Sequence, residues 1–133
     1  MEQLSIHSLK DCHLSTLSGG MRQKAYVAMA LAQESDYILL DEPTTYLDIA
    51  HQIELMDILK ALADSGKGVI AVLHDLPLAM NYADEIAVIG DGTIKLKSTP
   101  IDILRSGIIP KTFGVNITCS ENGDGYLYDL TKK

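Results

Sequence analysis

Apolar and small residues recur at Met21, Ala25, Ala28, Met29 and Ala32. This three-and-four spacing predicts an amphipathic helix running from the glycine pair to about Gln33, with Ser18 as a cap near its start. Residues 37–40 form a short continuous apolar run that stops at Asp41-Glu42-Pro43, which predicts a buried parallel strand with both carboxylates at its C-terminal end. Asp48 is placed to cap a second helix, whose apolar stripe runs through Ile49, Ile53, Met56, Leu59 and Ala63 and closes at Ser65-Gly66. Residues 68–73 predict a second buried strand, followed by His74-Asp75 and a short helix with Pro77 in its first turn, where proline is tolerated. Residues 85–89, the turn Gly90-Asp91-Gly92 and residues 93–96 predict a hairpin. A helix near 101–105 and a small hairpin around 122–125 complete the pattern. Two strand-helix-strand units in succession imply an α/β fold, with a mostly parallel sheet flanked by helices and right-handed crossovers. Ligands of such sheets gather at the C-terminal strand ends, where Asp41, Glu42 and His74 all fall.

Composition narrows the partners more than the fold. At 133 residues and 47% hydrophobic, the chain is long enough for one domain with a buried core. A net charge of -7 surrounds it with a negative field, which argues against wrapping nucleic acid and against docking on anionic lipid by charge alone. The longest apolar runs, 37–40 and 69–73, are far shorter than the roughly 20 residues of a membrane-spanning helix. Met1-Glu2-Gln3-Leu4-Ser5 has neither a basic start nor an apolar stretch, so no secretory signal is expected and the chain reads as cytosolic. Cys12 and Cys119 stand far apart, with no Cys/His cluster to suggest a metal or redox site.

Candidate chemistry lies in three places. Leu17-Ser18-Gly19-Gly20-Met21 combines a cap serine, glycines that let a ligand approach the backbone, and a helix N-terminus whose free N–H groups and dipole favour an anion such as phosphate. Asp41 and Glu42 offer one carboxylate for a hydrated Mg²⁺ and a second to orient or activate an attacking water. His74, at the end of the next strand, is placed to donate a hydrogen bond to a phosphate oxygen. Singly, each has an ordinary alternative: a glycine-containing helix start, a solvated acidic turn, a structural histidine. Their order and spacing in one chain favour a phosphate-handling site.

That order resembles the ATP-binding-cassette (ABC) ATPases. Residues 17–33 look like the family's signature and its helix, 37–43 like the Walker B strand with its adjoining glutamate, 45–48 like the D-loop, and His74 like the switch histidine. The run Leu47-Asp48-Ile49-Ala50-His51-Gln52, with Val72-Leu73-His74-Asp75-Leu76 and Tyr82-Ala83-Asp84-Glu85-Ile86, is similar to importer ATPases for ferric siderophores, haem and cobalamin. The resemblance implies the C-terminal part of an ABC nucleotide-binding domain. Residues 1–16 would end the helical subdomain, 17–98 would carry the motifs, and 99–133 would be a C-terminal extension. It implies ATP and Mg²⁺ as cofactors, and Glu42 and His74 as catalytic residues. Asp41 would support the metal, and Leu17, Ser18, Gly19, Gly20, Met21 and Asp48 would contact nucleotide across a head-to-tail dimer with a second ATPase subunit. A transmembrane permease and, indirectly, a substrate-binding protein would be the other partners, with the subunit peripheral on the cytoplasmic membrane face. Met21 replaces the family's common glutamine, and Tyr46 its usual small residue, histidine or phenylalanine.

The phosphate loop of the family, Gly-x-x-x-x-Gly-Lys followed by Ser or Thr, does not occur in these 133 residues. At the one Gly-Lys pair, Gly66-Lys67, Ala61 stands in place of the first glycine and Gly68 in place of the hydroxyl residue. The stacking aromatic and the Gln-loop are missing too, since residues 1–9 already resemble the last helix before the signature. In the family the phosphate-loop strand lies between the strand ending at His74 and that of residues 85–89, so those two are expected about 9.6 Å apart, two sheet spacings, unless the sheet closes up. The chain alone is therefore expected not to hydrolyse ATP, and to self-associate through open strand edges. Two other readings stay open. One is a non-catalytic module presenting only a signature face; the other, a non-transport cassette protein, is disfavoured by the acidic charge and the Leu-Asp-Ile-Ala-His-Gln run.

Overall fold

A computed structural model describes residues 12–122 and 125–132. The chain divides into two compact units, Met1–His74 and Asp75–Lys133.

The first unit contains a 3-10 turn, Leu14–Thr16, then α1 (Gly19–Ala32), β1 (Tyr37–Asp41), α2 (Ile49–Asp64) and β2 (Gly68–Val72). The expected caps form. The Ser18 side chain accepts from the Met21 N–H, and Asp48 accepts from the His51 N–H at 2.9 Å, each satisfying an N–H that a helix start leaves orphaned. Strands β1 and β2 pair in parallel with Tyr37 opposite Gly68 and Asp41 opposite Val72, making one strand-helix-strand unit. The expectation that residues 1–9 end a helix lies outside the described residues.

Helix faces depart from the sequence reading. In α1 the inward stripe runs through buried Gly20 and Val27 with half-buried Lys24 and Leu31, while Met21 and Met29 are exposed. In α2 the buried positions are Leu55, Met56, Leu59 and Leu62; Ile49 is 76% exposed and Ile53 46%. A helix with apolar residues on most of its circumference buries only the arc that meets a neighbour, and periodicity alone does not say which arc that is. The strands depart in the same way. Both were expected to be buried on two faces, but only the face carrying Ile38, Leu40, Val69 and Ala71 is covered. Leu39 and Ile70 on the opposite face are 76% and 55% exposed.

The second unit contains α3 (Leu76–Tyr82), β3 (Ile86–Gly90), β4 (Thr93–Ser98), α4 (Pro100–Ser106), α5 (Ile108–Phe113), β5 (Val115–Asn122) and β6 (Gly125–Lys132). Asp75 caps α3, accepting from Leu78 N–H at 2.8 Å. The β3–β4 hairpin turns on Asp91 and Gly92, both at positive φ, the pair of angles a tight type I′ connection demands. Sequence reading gave one C-terminal helix; there are two, divided by Gly107 in the left-handed region (φ 67), a natural helix stop. The small hairpin is longer than expected, with β5 and β6 pairing from Val115 opposite Lys132 to Asn122 opposite Gly125. Met80, Val88, Ile103, Ile109 and Tyr128 form this unit's core.

Among the described residues parallel pairing is confined to β1 and β2; β3 pairs with β4 and β5 with β6, both antiparallel. The second expected strand-helix-strand unit, β2-α3-β3, thus adds no strand to the parallel pair. Among the described residues β2 has β1 as its sole hydrogen-bonded neighbour. Among these residues no helix is long and apolar enough to cross a membrane.

Candidate active site at the parallel strand ends

Parallel pairing brings the C-terminal ends of β1 and β2 level, and the chemistry collects there. The Glu42 N–H continues the ladder, donating to the Val72 carbonyl at 3.1 Å, and Glu42 itself takes φ 46. A side-chain-bearing residue in this left-handed region costs roughly 1–2 kcal/mol, and the surroundings hold it there. Pro43 is fully buried and Thr44 is 8% exposed. Thr45 N–H donates to the Glu42 carbonyl at 3.1 Å, and Leu47 N–H to that of Thr44 at 3.2 Å. The Gln52 side-chain amide then donates to the carbonyls of Thr44 (3.3 Å) and Leu47 (3.1 Å), fastening the loop to α2.

This turn aims the Glu42 carboxylate at the end of β2, where Oε1 lies 2.7 Å from His74 Nε2. The Thr45 hydroxyl donates to Oε2 at 3.1 Å. The His74 hydrogen bond, and after it that of Thr45, holds the Glu42 carboxyl below its ordinary pKa. A depressed folded-state pKa means that the stabilisation is complete above the unfolded value and is lost as pH falls through the folded one. Replacing His74 by Ala is expected to raise the Glu42 pKa towards the ordinary carboxylate value. Side-chain carbonyl shifts followed through an NMR pH titration read this, and an unmoved midpoint would contradict the pairing.

Asp41, one residue earlier, is exposed, pairs with Val72 through the backbone ladder, and has no side-chain hydrogen bond or ion pair among the described residues. No group of three or more His, Cys, Asp or Glu able to hold a metal occurs among them. A lone exposed carboxylate at a strand end is a donor of the kind Mg²⁺ takes, since that cation keeps several waters and needs only one or two carboxylates.

A second cluster forms where α1 starts. Ser18 caps the helix, and the Leu17 carbonyl accepts from Arg22 at 3.4 Å. Gly20 is buried against His51: a Cβ there would lie 2.7 Å from the ring, so any larger residue requires the imidazole to shift. A Cβ on Gly19 would meet the Tyr46 carbonyl at 3.4 Å, while Met21 stays 44% exposed beside them. His51 in turn holds Asp48 through Nδ1 at 2.8 Å, and its two hydrogen bonds, the backbone one first, lower the Asp48 pKa. An ion pair from Lys24 to Glu54 fastens α1 to α2.

The structure therefore joins Glu42 with His74, and Gly19 and Gly20 with residues 46–51; Ser18 is placed just before them as the helix cap. Sequence reasoning gave no individual role to Thr45, His51 or Gln52. The Asp48-x-x-His51 spacing, a helix cap followed three residues later by a polar partner, was the available signal for His51.

Comparison with known proteins finds likeness to one family in both sequence and fold. The ABC transporter family matches residues 1–45. The chain is 42% identical over 129 residues to the achromobactin transport ATP-binding protein of Dickeya dadantii, a match covering 96% of this chain and 47% of that protein. It is 43% identical over 116 residues to the ferric enterobactin transport ATP-binding protein of Escherichia coli, covering 86% of this chain and 43% of that protein. The fold matches an ABC transporter described as metal-chelate type, solved in an inward-facing conformation, with a TM-score of 0.85 at 24% identity over 98% of this chain and 53% of that one. The chain thus spans about half the length of the curated relatives it matches.

Proposed function

We propose, from the premise that this chain is related over nearly its whole length to ABC transporter ATP-binding proteins of the iron-siderophore importer type, that it carries the signature and the acidic and histidine residues of an ATP-hydrolysing subunit driving uptake of ferric siderophores or related metal chelates. The observation that carries this reading is the Glu42–His74 contact of 2.7 Å at the ends of two parallel strands. A carboxylate held below its ordinary pKa stays ionised at neutral pH and can accept a hydrogen bond from a water, orienting it.

In this reading Glu42 orients a water against the γ-phosphate of ATP and takes its proton. The water oxygen bonds to phosphorus as the bond to the β,γ-bridging oxygen breaks, and ADP leaves with that electron pair. His74 holds Glu42 and donates to a γ-phosphate oxygen. Asp41 would hold Mg²⁺ through water, and the cation neutralises charge on the phosphate oxygens when bound. Ser18 and the Gly19–Gly20 backbone, edged by Leu17 and Met21, contact nucleotide on a second ATPase subunit, and Asp48 meets that subunit beside them. Residues 17–98 carry this machinery and 99–133 extend it, as the family resemblance implies. A permease then holds the pair at the cytoplasmic membrane face. Among the described residues β1 and β2 each keep an unpaired edge, which supports self-association where no other chain covers them.

The test compares two preparations. The 133-residue chain alone is expected to hydrolyse ATP at the buffer rate, because a phosphate-loop lysine and backbone cradle are absent from its sequence. Joined to a phosphate-loop-bearing half from a relative and reconstituted with a permease and binding protein, it is expected to be stimulated by a ferric siderophore, haem or cobalamin. Stimulation by a sugar or amino-acid system instead, with none by metal chelates, would overturn the substrate class and leave the ATPase assignment intact.

A further inference from the structure

We infer that Thr45 is a positioning residue for hydrolysis: its hydroxyl fixes the plane of the Glu42 carboxylate that His74 alone would leave free to swivel. The inference rests on the ATPase reading for its consequence, but its geometry stands independently. The terminal torsion of a glutamate is broad and roughly two-fold, so one hydrogen bond does not define where the remaining lone pairs point. His74 Nε2 engages Oε1 at 2.7 Å and the Thr45 hydroxyl engages Oε2 at 3.1 Å. With both oxygens held from different elements, the carboxylate cannot rotate without breaking one contact, and the side chain remains 43% exposed.

Thr45 is suited to this in two ways. Branching at Cβ restricts χ1, so its hydroxyl is presented from a stiff side chain. Its backbone is also fixed: its N–H returns to the Glu42 carbonyl at 3.1 Å, Pro43 and Thr44 before it are buried, and Gln52 ties down the carbonyls of Thr44 and Leu47 on either side. The geometry thus passes from α2 through Gln52 and the loop to a single hydroxyl on the reactive carboxylate.

The test uses Thr45→Val, which keeps the shape and removes the hydroxyl, and Thr45→Ser, which keeps the hydroxyl on a less restricted side chain. In the reconstituted assembly Thr45→Val is expected to lower kcat by about 10- to 100-fold, the scale of a misplaced catalytic group, with KM for ATP little changed. Thr45→Ser should recover most of that loss. In a Glu42→Gln background Thr45→Val should cost little more, since both changes act on one group. Undiminished kcat in Thr45→Val, failure of serine to rescue, or a full additional loss in the Glu42→Gln background would overturn the inference. In the 133-residue chain alone, a crystal structure of Thr45→Val should show the Glu42 carboxylate turned about its terminal torsion relative to wild type and Thr45→Ser; an unchanged carboxylate plane would overturn it as well. An assembly in which wild type itself fails to turn over ATP would count against the ATPase reading, while the carboxylate plane still decides the role of Thr45.

Discussion

Replacing Glu42 by Gln in the reconstituted transporter is expected to cut ATP turnover by about 10²- to 10⁴-fold, the contribution of a positioned general base, while ATP is still retained. Glutamine keeps the length, the planar end group and an oxygen able to accept from His74 or Thr45. It loses the charge and the basicity. The backbone at position 42 sits at φ 46, and Gln bears the same left-handed penalty as Glu, so the loop geometry should survive the change. Folding stability is therefore not the expected source of the loss. Single-turnover hydrolysis, read beside nucleotide retention and thermal unfolding, separates the three quantities. Turnover near the wild-type rate would remove Glu42 from the proton-accepting role and leave the 2.7 Å contact with His74 as a structural one.

The largest loss of stability is expected in the second unit, from Ile103→Ala. Ile103 is fully buried among Met80, Val88, Ile109 and Tyr128, and truncating such a side chain typically costs about 2–5 kcal/mol, part lost transfer energy and part cavity. A whole domain is usually stable by only about 5–15 kcal/mol. One substitution in α4 therefore consumes a large share of the total. Ile94→Ala serves as the control: Ile94 is 65% exposed on β4, and the cost should stay near 1 kcal/mol, the span of strand propensity. Denaturant unfolding of the two variants checks the contrast. Equal losses would mean that the burial of Ile103 does not reflect its packing energy.

Much of the local structure was legible in the sequence because it depends on neighbours within a turn or two of the chain. Ser18 and Asp48 were readable as caps, since a short polar side chain before an apolar-periodic run has few better uses; the Asp75 cap was seen only in the structure. The strand 37–40 ending in two carboxylates could be recognised from its run length and punctuation. The order of signature, acidic strand and histidine identified the candidate site before any distance was known. Left unread were α5, because residues 108–113 include Pro110 and offer too short a period to register, and the length of the last hairpin, whose pairing extends to Val115 opposite Lys132.

The sequence by itself determined most of the elements, where α1 and α2 start, and which residues carry charge or hydroxyl groups at the strand ends. Tertiary structure decided which arc of each helix is buried and which oxygen of Glu42 meets which partner. Ile49 and Ile53 satisfy the helical period as well as Leu55 and Leu59 do, yet only the latter pair is buried, because burial depends on what lies opposite a face. Likewise His74 and Glu42 are 32 positions apart in sequence. Only the in-register parallel pairing of β1 with β2 brings the two to hydrogen-bonding distance, since that pairing sets strand ends level by backbone hydrogen bonds that every residue can make and no side-chain pattern specifies.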